Sequence, residues 1–308
     1  MTARVLVAGD ANLDLVLRGD VVPRFGQAEQ LLDATELVLG SSAGICASGL
    51  ARLGVVTSIV ARVGADVFGA RTRELLEEAG VDAAALGVTD EPTGLSVILS
   101  APADRAILTL TGALAGLRGA EVIAAAEEVD HVHVAGLFLL PRLVAELPGV
   151  LATLRARGIT TSLDTNWDPA ERWLGIAESL PHLDLLLPNA QEALALARAL
   201  GDDPADAESA AILLARRGPA VVVKDGAAGG FAATGDGAVV RAPGLRVDVV
   251  ATTGAGDGFD AGFLTAWIDG RPLPEAVRWG AVAGSLSTRG VGGTGGQATR
   301  AEVEAALA

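Results

Sequence analysis

Cysteine is nearly absent: Cys46 is the only one among 308 residues, no Cys-x-x-Cys pair exists, and only three histidines accompany it. A disulfide framework and a Cys/His zinc site are thereby excluded, and a reducing cytoplasm is the expected setting. Positive charge is also scarce, with 23 Lys and Arg against 38 Asp and Glu and a formal net charge of -15. No stretch concentrates the basic residues, so the electrostatic footprint of a nucleic-acid binder is missing and an anionic membrane is an equally poor partner. Long apolar runs are lacking too, since "VHVAGLFLL" is about half the length needed to span a bilayer. The opening "MTARVLVAGD" carries one Arg and a short apolar run ending at Asp10, too brief for a signal peptide. No internal repeat, low-complexity tract or linker interrupts the chain. Half of the residues are hydrophobic, enough for one domain over 1–308 that buries roughly three quarters of its unfolded surface.

Short β-branched runs alternate with Ala/Leu/Glu segments at helical spacing. "RVLVAGD", "TSIVARVG", "HVHVAGL", "TTSLDTN", "LDLLLPN" and "AVVVKDG" read as buried strands, each ending in Gly, Asp, Asn or an apolar turn. Between them "AGICASGLARLG", "FGARTRELLEEAG", "LVAELPGVLATLRARG", "AQEALALARAL" and "AESAAILLARRG" repeat apolar residues every three or four positions and read as helices. Alternation with continuously apolar strands predicts an α/β fold, a mostly parallel central sheet covered by helices on both faces in three layers. Residues 15–38 and 93–113 break the rhythm with strand-like alternation around turn residues and no helix, which predicts antiparallel hairpins forming a small β-sheet lid.

In an open α/β sheet the ligand sits beyond the carboxyl ends of the strands. The polar residues there are Asp10, Asn12 and Asp14, then Asp164 and Asn166, Asn189, and Lys224 with Asp225. Any one of them could simply cap the next helix, but their recurrence at successive strand ends points to a site. The segment "VVATTGAGDGFDAGFLTAW" at 249–267 is the most pointed signal. Gly254, Ala255 and Gly256 lack bulk, so the backbone can turn tightly and aim successive amides outward, and a helix starting near Asp257 adds roughly half a positive charge at its N-terminus. That is an anion hole. Asp257 beside it serves either as a charge complement to the helix or as a proton acceptor for an attacking hydroxyl. Phosphoryl transfer needs both features and little else.

"TTGAGDGFDAGF" resembles the C-terminal signature of the ribokinase-like (phosphofructokinase B-type) carbohydrate kinases. The likeness continues in "GSSAGICASGLARLG" at 40–54, "VGADVFG" at 63–69, "PNAQE" at 188–192 and "KDGAAGG" at 224–230, in matching order. The resemblance implies a central sheet between helices and a β lid that closes over the substrate and in some members forms a dimer interface. It implies an ATP-dependent kinase acting on a hydroxymethyl group of a sugar or sugar-like molecule. Asp257 would be the base, and Gly254, Ala255 and Gly256 would cradle the transferring phosphoryl. Asn189, Lys224, Gly226, Gly229, Thr253, Ala281 and Gly284 would bind the nucleotide, and Glu192 would hold Mg2+ mainly through water. Asp14, Asn12, Gly40, Ser41 and Ile45 would face the acceptor.

Departures from the family pattern carry information as well. Ala251 stands where potassium-activated members have an acid, so monovalent-cation dependence is not implied. The first signature normally begins Gly-Gly and has an Asn five residues on; here Gly40 is followed by Ser41 and then Ile45, which has no hydrogen-bonding group. Phe138, Leu139 and Leu140 occupy the segment where ribokinase itself has a sugar-binding acid. The expected acceptor therefore has an apolar or aromatic portion, as a nucleoside would, and ribose is expected to be poor. A kinase-fold protein that binds a metabolite without turning it over is the alternative.

Other motifs lead elsewhere. "GVGGTG" at 290–295 follows a helical segment and leaves too little chain for a βαβ unit, so it reads as a loop. "GADVFGAR" has Ala70 and Arg71 where a Walker loop needs Lys and Ser/Thr. His131 and His133 share one strand face and read as structural, as does Cys46. Lys224 reads equally as a nucleotide contact or a solvated strand end. Trp167 and Trp173 read as core or domain edge.

Overall fold

The computed structural model describes residues 3–27, 29–101 and 105–308. Its strands are β1 Arg4–Gly9, β2 Leu13–Gly19, β3 Leu32–Leu39, β4 Val56–Gly64, β5 Leu86–Thr89, β6 Leu95–Ser100, β7 Arg105–Leu110, β8 His131–Ala135, β9 Thr160–Leu163, β10 Leu185–Leu186, β11 Ala220–Lys224, β12 Gly230–Ala233 and β13 Val239–Ala242. Its α-helices are α1 Ser42–Arg52, α2 Val67–Glu78, α3 Gly119–Ala125, α4 Pro141–Ala156, α5 Ile176–Ser179, α6 Ala190–Ala199, α7 Ala207–Ala215, α8 Ala255–Ile268, α9 Leu273–Ser287 and α10 Arg300–Leu307.

Nine strands form the main sheet in the order β13-β12-β11-β10-β9-β8-β1-β4-β5. All neighbours from β5 to β11 run parallel, and β12 and β13 extend the sheet antiparallel. The period-2 geometry of a strand sends successive β1 side chains to opposite faces. Val5 and Val7 enter a core shared with Cys46, Phe263 and Trp279, whereas Leu6 and Ala8 enter one shared with Leu147, Leu196 and Leu214. Residues of α1, α8 and α9 therefore cover one face and residues of α4, α6 and α7 the other, giving the three expected layers. Some polar side chains on the inner strands pair across neighbouring strands, although His133 Nε2 has no partner among the described residues. The Ser162 hydroxyl meets His131 Nε2 and His133 Nδ1, each at 2.7 Å. Burial pushes the two imidazoles down to about 3 and about 4.

The second sheet has the order β3-β2-β6-β7. Each expected hairpin is present as an antiparallel pair, and a parallel β2–β6 pairing joins the two. The strands reach slightly past the expected limits, β2 beginning at Leu13 and β3 ending at Leu39. Residues 102–104, within the second expected hairpin, lie outside the described residues. Three strands were not foreseen, β5, β12 and β13. The β12–β13 hairpin turns through Asp236, whose Oδ1 accepts from the Thr234 hydroxyl and the Ala238 amide. Trp173 is buried and Trp167 is 44% exposed at the edge, their rings meeting edge to face. No helix among the described residues is long and apolar enough to cross a membrane.

Candidate active site

The first turn of α8 is set by Gly254, which adopts φ 75° as the residue preceding the helix. A Cβ there would stand 2.7 Å from the backbone of Gly293, so glycine is required both by the dihedral and by the close approach. The Ala255 amide donates to Thr252 O at 3.2 Å, and the first helical bond runs from the Gly258 amide to Gly254 O at 2.8 Å. The amides of Gly256 and Asp257 precede that bond, and they are the donors a helix N-terminus offers to an anion. Asp257 is 9% exposed. Burial pushes its carboxyl well above the usual range; the nearby Asp164 and Asp10 add to this, while Lys224 and a hydrogen bond from Ser42 oppose it.

The strand ends supply the surrounding acids. Asp10, at the end of β1, accepts the Ala43 amide at 2.9 Å and the Ser42 amide at 3.3 Å, and so sits on the N-terminus of α1. Burial raises it to about 6. Asp14 lies on β2 of the small sheet and is also raised to about 6, by burial and then by Asp10, with Arg105 pulling the other way. Gly40 touches Asp14 so closely that no Cβ fits between them. Asn12 donates to Leu13 O at 3.1 Å and to Ser96 Oγ at 3.4 Å. Asn166 donates to Ser42 Oγ at 2.8 Å and accepts the Gly136 amide at 2.9 Å, tying β9 to α1. Ser41 caps α1 with its hydroxyl while holding φ 67° and ψ 142°, a conformation that side-chain-bearing residues avoid. Ile45 is buried with its side chain against Gly293, so "GVGGTG" is a loop wedged between α1 and the first turn of α8.

A cleft of about 500 Å3 opens on the other side of Gly256. Five of the expected nucleotide residues line it, Lys224, Gly226, Gly229, Ala281 and Gly284. Thr252, not Thr253, contributes to its wall. Thr253 turns toward the lid, its hydroxyl accepting from Arg105 Nη1 at 2.6 Å. Asn189 and Glu192 form a capping box on α6: Asn189 Oδ1 accepts the amides of Gln191 and Glu192, and Glu192 Oε2 accepts the Asn189 amide at 2.8 Å. Glu192 is 4% exposed, and burial together with Asp164 raises it to about 7.

Lys224 is not a solvated strand end, being only 9% exposed. Its Nζ lies 2.7 Å from Asp164 Oδ2 and 2.9 Å from Asp260 Oδ2, with both carboxylates buried. Burial disfavours the ammonium, yet the two acids outweigh it and hold its pKa above the usual value. Phe138 does not face Asp14; its ring meets Trp173 edge to face, and it lines a separate groove of about 560 Å3. Asp260 and Arg105 escaped the sequence reading. Asp260 stands three residues after Asp257, a spacing that puts both on one helix face, whereas nothing local marks Arg105.

The sequence profile of the pfkB family carbohydrate kinases matches residues 2–300. An ATP-dependent ribose-1-phosphate kinase of Halopiger xanaduensis is 29% identical over 299 residues, covering 92% of this chain and 91% of its own. The ribokinase of Bacillus subtilis is 29% identical over 306 residues, covering 98% and 99%. Among solved structures, the ribokinase of Thermotoga maritima superimposes with a TM-score of 0.84 at 25% identity over 99% of each chain. The ribokinase of Arabidopsis thaliana complexed with ribose and ATP gives 0.83 at 24% identity, covering 100% of this chain and 99% of its own.

Proposed function

This chain belongs to the pfkB family of carbohydrate kinases, and from that premise we propose that it transfers the γ-phosphoryl of ATP to a hydroxymethyl group of a sugar-like acceptor. The observation that carries the proposal is the position of Asp257. It lies buried on the first turn of α8, next to Gly256, which lines the cleft, with Asp10 close enough to raise its pKa. A carboxylate whose pKa is raised by burial is a stronger proton acceptor, so Asp257 takes the proton as the acceptor oxygen attacks the γ-phosphorus in line. The helix N-terminus and its first amides balance the charge that develops on the phosphoryl oxygens. The adenine side of ATP lies along Gly226, Gly229, Ala281 and Gly284.

Magnesium enters with the nucleotide. No group of three or more His, Cys, Asp or Glu among the described residues could cage a metal. The ion would be held mostly by phosphate oxygens and water, with Glu192 reaching its hydration shell. When bound, the ion neutralises phosphate charge. The small sheet, whose Arg105 reaches Thr253, closes over the acceptor and excludes water.

Asp14, Asn12, Gly40 and Ser41 border the acceptor. Ile45, which offers no hydrogen bond, supports an acceptor with an apolar portion, such as a nucleoside, over free ribose. A panel of ribose, ribose 1-phosphate, other sugars and nucleosides, incubated with ATP and Mg2+ and read by product mass, tests the assignment. A phosphorylated nucleoside or modified sugar is the expected product. Strong preference for ribose would refute the apolar acceptor, and no phosphorylated product from any class would refute the kinase itself.

A further inference from the structure

The buried trio of Asp164, Lys224 and Asp260 has no part in the chemistry described so far, yet it lies directly beneath it. Lys224 Nζ bridges Asp164 Oδ2 at 2.7 Å and Asp260 Oδ2 at 2.9 Å. Asp164 follows β9, Lys224 ends β11, and Asp260 is on α8 one turn beyond Asp257, so three separate elements meet at one ammonium. A Cβ built on Gly256 would find the Lys224 Cδ, Cε and Nζ at 3.6 to 3.9 Å, which puts the lysine stem against the back of the anion hole. Both carboxylates are at most 2% exposed, and Asp260 Oδ1 has no hydrogen-bond partner. Charged groups are rarely kept this deep for stability alone, because desolvation offsets most of the attraction within a buried pair.

We propose that Asp164, Lys224 and Asp260 form a positioning unit that locks the first turn of α8 to the ends of β9 and β11, so that Lys224 serves the base and the amide cradle from behind and is not a ligand of the nucleotide phosphates. The trio deepens the kinase assignment and rests on the reading of Asp257 as base. Burial and the neighbouring Asp164 charge push Asp260 upward against the pull of Lys224, whereas Lys224 holds Asp164 low despite its burial. The groups acting on Asp257 come from several elements: Asp164 after β9, Lys224 on β11, Asp10 after β1 and Ser42 on α1, with Asp260 on its own helix, Cys46 on α1 within reach of its charge, and Asp14 of β2 beyond Asp10.

The test follows the carboxyl carbon of Asp257 by 13C NMR titration of aspartate-labelled full-length protein, its resonance assigned by its loss in Asp257→Asn. Asp164→Asn removes a negative charge and should move the titration down by about one unit, and Lys224→Met should move it up by about one unit. Asp260→Asn keeps an acceptor for the Lys224 ammonium and should move it less than Asp164→Asn does. Calorimetric binding of ATP with Mg2+ supplies the second readout. Lys224→Met should keep the dissociation constant within about threefold, whereas loss of a charged phosphate ligand weakens binding tenfold or more. An unmoved Asp257 titration in Asp164→Asn, or a tenfold weaker ATP complex in Lys224→Met, would overturn the proposal. If Lys224→Met does not fold, Lys224→Arg must retain both properties and the two Asn variants still decide the titration. An active Asp257→Asn enzyme would remove the base assignment itself while leaving the titration to judge the trio.

Discussion

Replacing Asp10 with Asn should stabilise the unliganded protein, and more so as the pH rises. Asp10 is 3% exposed, and burial raises its pKa from 3.8 to about 6 despite two amide hydrogen bonds. The folded state therefore holds a proton that the unfolded chain releases. Stability from this group is intact below the unfolded value, falls as pH rises, and reaches its full loss above the folded value. A shift of roughly two units corresponds to about 3 kcal/mol, of which roughly 1.4 kcal/mol accrues between about pH 5 and about pH 8. The Asn side chain keeps one acceptor for the Ala43 amide and gives up the other, a loss that does not depend on pH and cancels in the comparison. Neutralising Asp10 also relieves Asp14 and Asp257, both of which it pushes upward, so their response has the same sign. Thermal melts of wild type and Asp10→Asn, followed by tryptophan fluorescence at both pH values, should show the melting-point difference widening by about 2 °C at the higher pH. A difference that is constant or narrows would show that Asp10 is charged without penalty, and would refute burial as the dominant influence on this site.

Asp257→Asn should lower turnover by roughly a hundredfold to ten-thousandfold while its melting curve remains cooperative, measured with the best acceptor from the panel. Ser41→Gly should raise the melting temperature, because release of a positive-φ side chain is worth about 1 kcal/mol or more and loss of the cap to glycine only a few tenths. Arg105→Ala removes the 2.6 Å bond from the lid to Thr253; the arginine is exposed, so a loss of about fivefold in kcat/KM is expected from steady-state kinetics. With Ala251 in place of an acid, exchange of potassium for a bulky organic cation should leave turnover essentially unchanged; strong activation would show that another group holds the ion.

The alternation of strands and helices, the small two-hairpin sheet and the glycine turn that opens α8 were legible because each is written in local signals: apolar period, turn residues, and the Gly-Ala-Gly run before Asp257. The β12–β13 hairpin was missed although Gly235, Asp236 and Gly237 mark its turn, since its strands are short and Ala-rich. β5 was missed for a similar reason, being only four residues long. Asn189 and Glu192 carry the spacing of a capping box, and in the structure they hydrogen-bond the backbone at the start of α6. Lys224 could be found at a strand end but its partners could not, because Asp164 and Asp260 lie 60 and 36 residues away in the chain.

By itself the sequence determined which elements form and which strand ends carry acids, because hydrophobic period, helix caps and glycine turns act over a few residues. Only the tertiary structure decided how those acids behave. Whether Asp257 is raised, Asp164 is held ionised or Lys224 is withdrawn from solvent depends on burial and on charges brought together by the parallel sheet, and both are properties of packing across distant parts of the chain.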